Sequence, residues 1–204
     1  MRTYAKRIVV LVLALLLVSS ALTVVSALGD FRVQCESVSE KVLRLHVLAN
    51  SDSEEDQQLK LKVRDAILAE SDELFFTSQN KAEAMENILK NREQIETLAE
   101  DTLRQNGCTH PVEIQLAEVY FNTRTYGDVT MPAGYYDALQ VKIGVGAGKN
   151  WWCVLFPALC VPSAASVQME DVLTEEEMRV LGQSGYDVRF KIVELYENFM
   201  GLFR

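Results

Sequence analysis

The chain has 204 residues, 49% of them hydrophobic, and its 20 basic against 29 acidic residues give a formal net charge of −9. This balance disfavours a nucleic-acid role, because affinity for a phosphate backbone comes largely from Lys and Arg side chains. The acidity itself is typical of a soluble surface. Once an N-terminal signal is set aside, the length suits one domain, and no internal repeat or long Pro/Gly/Ser linker divides it.

The N-terminus has the pattern of an export signal. An apolar run over 8–18 is followed by small residues at 25–27, where a signal peptidase reads the chain. The residues that precede the run are basic, namely Arg2, Lys6 and Arg7. We therefore expect signal peptidase to act on the chain in transit and to remove residues 1–27.

A retained membrane anchor is the alternative, because the stretch stays largely apolar as far as Leu28. In either case the remainder of the chain lies outside the cytoplasm. We expect residues 28–37 to act as a tether and residues 38–204 to form one domain.

The first elements of that domain are a strand and a helix. Residues 42–48 alternate in hydrophobicity, which predicts a strand with Leu43 and Leu45 on one side. The polar cluster over 50–53 ends the strand and offers N-cap oxygens, and acidic residues follow it in the first turn of a helix. We predict this helix from 54 to about Glu70, with an apolar stripe on one face.

A second, longer helix is predicted over 81–105, and Gly107 is placed to end it. A strand should begin after Pro111. Residues 136–145 and 151–156 then resemble two strands of a hairpin, joined by a loop over 146–150.

The C-terminal region predicts two further helices. Thr174 with Glu177 three residues later fits a capping box for a short helix that Gly182 would close. From Val188 the apolar residues recur at steps of three and four, which predicts an amphipathic helix that covers the sheet, or alternatively binds a membrane or partner. These elements give an α+β fold, with a mainly antiparallel sheet packed against two long helices and a C-terminal helix.

Motifs of enzyme chemistry are incomplete in this sequence. The glycines before Lys149 lack the spacing of a phosphate-binding loop. His46 and His110 are the only histidines, so a hydrolase would need a chance meeting of His46 with a nucleophile such as Ser184 or Cys153. The acidic cluster after Asn50 lacks the pattern of a calcium loop, so we expect neither a metal nor a cofactor.

The tract 150–160 holds both tryptophans and two of the four cysteines. Outside the cytoplasm a disulfide between Cys153 and Cys160 can persist, and two buried free thiols are the alternative. Alternation along a strand would point Trp151 and Trp152 to opposite sides, so that one is core and the other is available to a partner.

The polar residues around the first strand have two interpretations. Arg44 and His46 share one side of it and could pair with Asp52, Asp56 or Asp65 in a buried network. Alternatively, the Asn50-Ser51-Asp52 turn forms part of a recognition surface.

Two tracts resemble a known family. One is 43–53, Leu-Arg-Leu-His-Val-Leu-Ala-Asn-Ser-Asp-Ser, and the other is 150–160, Asn-Trp-Trp-Cys-Val-Leu-Phe-Pro-Ala-Leu-Cys, which follows a Pro132-Ala133-Gly134 turn and the glycines Gly144, Gly146 and Gly148. Both are similar to signatures of the stage II sporulation protein R family. Ala158 departs from that pattern, which has a second proline there.

The resemblance implies a non-catalytic signalling protein that is made in the forespore and exported into the intermembrane space between forespore and mother cell. It would activate a membrane-embedded aspartic protease, through the extracytoplasmic part of that protease, so that the sigma-E precursor is processed in the mother cell. No small-molecule substrate is expected. The expected partner contacts are Trp151, Trp152, Phe156, Pro157, His46, Asn50 and Asp52.

Two other classes of function stay open on the sequence. An extracytoplasmic hydrolase acting on cell wall or peptide would bring His46 together with acidic or thiol side chains in a pocket. A structural or cell-wall-binding protein would instead present aromatic residues on the sheet surface.

Overall fold

The computed structural model describes residues 2–70, 78–159, 167–182 and 190–195. The helices are α1 (Arg2–Lys41), α2 (Glu54–Ala69), α3 (Lys81–Lys90), α4 (Arg92–Gln105), α5 (Met169–Val172) and α6 (Glu175–Leu181), and residues 190–195 are also helical. The strands are β1 (Leu43–Leu48), β2 (Val112–Phe121), β3 (Arg124–Tyr126), β4 (Val129–Met131), β5 (Gly134–Ile143) and β6 (Asn150–Phe156).

The main sheet has four strands in the order β2-β5-β1-β6. β1 pairs with β5 in parallel, whereas the β1–β6 and β2–β5 pairs are antiparallel. Strands β3 and β4 form a separate small hairpin. The predicted α+β class with a mainly antiparallel sheet is therefore confirmed.

The predicted pairing of β5 with β6 is wrong, because β1 lies between them. Five of the six residues of β1 are buried, including those that point to opposite faces of the sheet. A strand buried on both faces belongs in the interior of a sheet, where it has two neighbours. The alternation within β5 and β6 is the same whichever strand they pair with, so it could not reveal this arrangement.

Each face of the sheet has its own hydrophobic core. Helices α2, α3 and α4 cover one face, and their apolar stripes meet residues such as Leu45, Val141 and Leu155. On the other face, the end of α1, the β3–β4 hairpin and helices α5 and α6 pack against the sheet. The buried residues there are Val38, Val42, Phe121, Met131, Tyr136, Ala138, Val154, Met169, Leu173 and Leu181.

Local capping signals predicted several element ends correctly. The Ser53 hydroxyl accepts a hydrogen bond from the Asp56 amide at 3.1 Å and begins α2. Thr174 and Glu177 form the predicted capping box of α6, and Gly182 follows its last residue. Gly107 has a φ of 77°, the left-handed conformation expected after α4.

The predicted single helix over 81–105 is two helices that meet at Asn91. The backbone of Asn91 has φ −100° and ψ 13°, outside the helical region. Its side-chain amide donates to the Asn87 carbonyl at 3.0 Å. Asn side chains compete in this way with the backbone hydrogen bonds of a helix, which accounts for the break.

Helix α1 is long and apolar enough to cross a membrane, by length and composition, and is compatible with a signal peptide. The segment 28–37, expected to be a tether, continues this helix and is partly built into the domain. Phe31 and Cys35 are buried in a small cluster with Val180, Phe190 and Val193. The division at residues 27 and 37 stays a prediction.

The helical residues 190–195 support the predicted C-terminal helix, whose other residues lie outside the described part. Phe190 and Val193 pack in the cluster with α1 and α6. The expectation that this helix covers the sheet stays a prediction, because the described residues 190–195 show only its contact with α1 and α6.

Glu177 joins α6 to α1. The Glu177 residue is 2% exposed. Both of its carboxylate oxygens accept a hydrogen bond from Lys41 Nζ at 2.8 Å, and Oε1 also accepts one from the Ser37 hydroxyl at 2.5 Å. The Thr174 amide donates to it at 2.7 Å. Burial alone would raise the pKa of Glu177, but these hydrogen bonds lower it below its ordinary value.

We predict that Glu177→Ala lowers the free energy of unfolding by roughly 3 kcal/mol, because it leaves Lys41 and the α6 N-terminus without their acceptor. Urea unfolding of the full chain in detergent micelles measures this change. Glu176→Ala removes an exposed carboxylate from the same helical turn and is the control, with an expected change below about 0.5 kcal/mol. Equal losses in the two variants would contradict the assigned role of Glu177.

Candidate functional site

Two loops meet at the end of β1 and hold each other in place. Residues 49–52 leave β1, and residues 144–149 connect β5 to β6 across that end; we call this contact the clamp. Ala147 N donates to the Asn50 carbonyl at 3.1 Å, and Gly148 N donates to the Ala49 carbonyl at 2.9 Å. The Asn50 side-chain oxygen accepts from Val145 N at 3.2 Å. Asp52 Oδ1 accepts from Lys149 N at 2.7 Å.

Asp56, at the start of α2, fixes the first loop of the clamp. Its Oδ2 accepts hydrogen bonds from the Ser51 hydroxyl at 2.5 Å and from the Asn50 amide at 2.9 Å. These bonds, with that from Ser51 as the largest contribution, lower the pKa of Asp56. Asn50 therefore serves both loops, since its amide nitrogen binds Asp56 while its oxygen binds Val145.

Buried Lys60 binds the second loop of the clamp, residues 144–149. Its ammonium donates to the Lys149 carbonyl at 2.9 Å and to the Gln57 side chain at 2.6 Å. Burial lowers the pKa of Lys60. Among the described residues, Lys60 thus donates only to neutral oxygens. One of them, the Lys149 carbonyl, belongs to the clamp.

Arg44 is fully buried on the face of the sheet opposite α2 and α4. Its guanidinium carbon lies 4.2 Å from the centroid of the Phe121 ring and 5.0 Å from that of Tyr136. Nη2 donates to the Tyr126 hydroxyl at 2.6 Å, and Nε donates to the Cys153 carbonyl at 3.3 Å. The expected ion pair with Asp52, Asp56 or Asp65 is wrong, because aromatic rings and neutral oxygens surround the charge. Burial lowers the pKa of Arg44.

Tyr126, the last residue of β3, links the β3–β4 hairpin to Arg44 and to β6. The tyrosine hydroxyl accepts from Arg44 and donates to the Trp152 carbonyl at 3.0 Å. Arg124, at the other end of β3, places its guanidinium carbon 4.8 Å from the centroid of the Trp152 ring. The hairpin is therefore held at two points beside β6.

His46 is 5% exposed, and its Nδ1 lies 3.1 Å from the amide nitrogen of Gln140. Its ring meets Phe121 and Trp152 edge to face, with centroids 5.8 and 6.2 Å apart. Burial, and then the charge of Arg44, lowers the pKa of His46 to about 4. The imidazole is thus neutral at physiological pH, and no described serine, cysteine or carboxylate forms a hydrogen bond with it.

A cavity of about 480 Å³ lies where the clamp, β6 and the hairpin meet. Its lining residues are Asp52, Arg124, Ala147, Gly148, Lys149, Asn150 and Trp152. Arg124 and Lys149 are exposed, and neither forms an ion pair with a described acidic residue. The indole Nε1 of Trp152 is buried and has no hydrogen-bond partner in the described part of the chain. The two cationic side chains outweigh the single Asp52 carboxylate in the lining, which favours an anionic group in this cavity.

The predicted contact residues divide into two groups. Trp152, Asn50 and Asp52 belong to the cavity or the clamp, and His46 lies behind Trp152. Trp151 points to the opposite face, where the Arg64 guanidinium carbon lies 4.1 Å from its ring centroid. Phe156 and Pro157, joined by a cis peptide bond, are both buried and so do not form an accessible surface.

The cysteines agree in part with the expected pairing. Cys153 is disulfide-bonded, whereas Cys35 and Cys108 form no disulfide. The predicted partner, Cys160, lies outside the described residues, so the Cys153–Cys160 bond stays a prediction. No group of three or more His, Cys, Asp and Glu side chains in the described ranges could hold a metal ion.

Sequence reasoning missed Arg124 as a site residue. Nothing in its local pattern distinguishes it from other surface arginines, because its place beside Trp152 depends on how the hairpin folds back. The one available signal was that it is basic in an acidic chain.

The clamp makes a steric prediction at Gly148. A Cβ there would lie 2.1 Å from the Ser51 carbonyl oxygen, so Gly148→Ala must displace one of the two loops. We expect a loss of about 1–3 kcal/mol in the free energy of unfolding. Gly29→Ala is the control, since a Cβ at Gly29 meets nothing within 4 Å. Equal stability of the two variants in urea unfolding would show that the loops do not approach so closely.

The buried histidine predicts a pH dependence of stability. The folded-state pKa of His46 is about 4, below the ordinary value of 6.5, so the unfolded state takes up the proton first as the pH falls. The contribution to stability is full above pH 6.5 and decreases as the pH falls toward 4, by about 3 kcal/mol. Unfolding experiments across this range should show that His46→Gln loses this part of the pH dependence. An unchanged profile would mean that His46 titrates normally.

Comparisons with known proteins identify the family of this chain. Residues 39–166 match the family model described as stage II sporulation protein R. A protein of Bacillus subtilis (strain 168) named stage II sporulation protein R is 37% identical over 123 residues, which are 60% of this chain and 55% of that protein. The match thus spans little more than half the length of this curated relative. No solved structure matches the chain. The chain belongs to the stage II sporulation protein R family.

Proposed function

We propose that this protein is an exported messenger of sporulation that activates a membrane-embedded aspartic protease, which then processes the sigma-E precursor in the mother cell. The observation that carries the proposal is the family match over 39–166, which contains the whole clamp and the whole main sheet. The apolar helix α1 supports export, because it has the length and composition of a signal or anchor. Export would deliver the domain into the space between forespore and mother cell.

The messenger acts by binding, with no substrate turned over by its own residues. A partner that binds the active conformation of a protease more tightly than the inactive one shifts the population toward activity. The clamp suits this mechanism, because its loops are already ordered: the side-chain oxygens of Asn50 and Asp52 accept hydrogen bonds from Val145 N and Lys149 N, and Lys60 donates to the Lys149 carbonyl. A preorganised surface loses little conformational entropy on binding, so more of the contact energy is available to shift the partner.

The cavity beside Trp152 is the contact surface that we propose. Arg124 and Lys149 supply two positive charges in a chain whose net charge is −9. An acidic side chain of the protease could approach Arg124 and Lys149 there, beside the Trp152 ring. Aromatic and arginine side chains are the residue types that contribute most to binding energy at interfaces.

The surface is tested by reversing its charge. Arg124→Glu with Lys149→Glu should reduce processing of the sigma precursor by at least about tenfold, because like charges facing each other cost several kcal/mol. The measurement is a blot for processed precursor in sporulating cells that carry the variant as their only copy. Arg92→Glu, at an exposed arginine at the start of α4, is the control, and the precursor should be processed normally in cells that carry it.

Two outcomes separate the surface from the function. Normal processing by the double variant, present at the same level as the control, would contradict the proposed surface alone. Normal processing in cells that lack the chain altogether would contradict the proposed function.

A further inference from the structure

Two side chains of β1 end in buried nitrogen atoms that lack a hydrogen-bond partner. Arg44 is 0% exposed and His46 is 5% exposed, and as residues two apart on a strand they project from the same side of the sheet. Arg44 Nη1 and His46 Nε2 are both buried and form no hydrogen bond with any described residue. Roughly nine in ten or more of the buried polar groups in proteins have a partner, so two such atoms side by side need an explanation.

A row of hydrogen bonds across three strands fixes which nitrogen of His46 carries the proton. The side-chain nitrogen of Gln115 on β2 donates to the side-chain oxygen of Gln140 on β5. The nitrogen of Gln140 then faces His46 Nδ1 at 3.1 Å, so Nδ1 accepts and the proton of the neutral ring is on Nε2. His46 Nε2 and Arg44 Nη1 are therefore both donors, and what they lack is an acceptor.

Trp152 on β6 supplies a third donor of this kind. Its indole Nε1 is buried and has no hydrogen-bond partner in the described ranges. The rings of His46 and Trp152 lie edge to face, and the ring of Phe121 meets them at centroid distances of 5.8 and 5.3 Å. The Arg44 guanidinium carbon lies 4.2 Å from the centroid of the same Phe121 ring. All three donor side chains thus border one phenylalanine.

The charge of Arg44 indicates which acceptor fits. Its described neighbours are aromatic rings, the Tyr126 hydroxyl and the Cys153 carbonyl, none of which carries a negative charge. A water molecule would supply lone pairs but no charge, and its own two hydrogens would need acceptors among groups that are mostly donors. An anion accepts from all three donors, donates nothing, and offsets the cost of burying the guanidinium.

The cavity in front of Trp152 offers a route for such an ion. Arg124 and Lys149 line this cavity together with Trp152, and exposed cations at a cleft raise the local concentration of anions. The rings that surround the donors are packed with centroids 5.3 to 6.2 Å apart. Only a small monovalent ion fits among side chains packed this closely.

We propose that Arg44 Nη1, His46 Nε2 and Trp152 Nε1 bind one small monovalent anion, of the size of chloride, on the face of the sheet opposite α2 and α4. The ion neutralises the buried guanidinium and joins a donor of β6 to two donors of β1. It therefore holds the Trp152 side chain in place from the buried side. This inference concerns a free ion and stands independently of the proposed protease.

The test follows the two indole N–H groups of the full chain in detergent micelles, by NMR with isotope-labelled tryptophan. Chloride replaces gluconate, an anion too large for the site, at constant ionic strength. Trp151 and Trp152 are the only tryptophans, and Trp151 faces the opposite side of the sheet, so it is an internal control. We expect the Trp152 indole signal to shift with chloride and to saturate, whereas the Trp151 signal stays in place.

The variants separate the site from a general effect of salt. Arg44→Met removes the charge at similar volume and should abolish the saturable shift. Arg64→Met is the matched control, because the Arg64 guanidinium carbon lies 4.1 Å from the centroid of the Trp151 ring, and this variant should bind chloride as the unchanged chain does. Should Arg44→Met fail to fold, His46→Phe keeps a ring and removes one donor, so it should weaken chloride binding by roughly tenfold or more.

Three results would overturn the proposal. The first is a Trp152 signal that does not saturate with chloride in the unchanged chain. The second is an equal shift of both indole signals, which would be an effect of salt on the whole protein. The third is a saturable Trp152 shift that Arg44→Met, or His46→Phe in its place, leaves unchanged.

Discussion

The structure depends on the path of the chain around β1. This strand lies between β5 and β6, so the connection from β5 to β6 must pass over the end at which the chain leaves β1. The two loops at that end are hydrogen-bonded to each other, since the carbonyls of Ala49 and Asn50 accept hydrogen bonds from the amides of Gly148 and Ala147. The space is so limited that Gly148 leaves no room for a side chain. The tract after β1 and the glycines before β6 are therefore two halves of one contact.

A buried arginine organises the other face of the sheet. Because Arg44 has no carboxylate partner in the described part of the chain, its charge is stabilised by the faces of Phe121 and Tyr136 and by the Tyr126 hydroxyl. Such a charge is expensive to bury, so it favours the arrangement that provides these contacts, in which Nη1 alone has no hydrogen-bond partner among the described residues. That arrangement fixes the β3–β4 hairpin beside Trp152 and brings Arg124 to the cavity. The fold and the candidate contact surface thus share the same interactions.

The sequence predicted the helix ends that depend on neighbouring residues. It did not predict the strand order or the contacts between residues distant along the chain. The caps at Ser53 and Thr174 and the left-handed Gly107 follow from neighbouring residues, so the element ends they set were predicted. The break at Asn91 and the order of the strands depend on a side-chain competition and on which strand fills the centre of the sheet. Trp152 was recognisable because tryptophan is rare and apolar, whereas Arg124 became part of the site only through the fold of its hairpin.

The central claim is that the loop over 144–149 is a fixed part of the sheet, although it contains three glycines. Native-state hydrogen exchange of the amides of Ala147 and Gly148 tests this claim most directly. We predict that both amides exchange as slowly as those in the centre of β1, because both are bonded to backbone carbonyls at the end of that strand. Exchange at the rate of an open, solvent-exposed loop would show that the clamp does not hold, and the account built on it would be wrong.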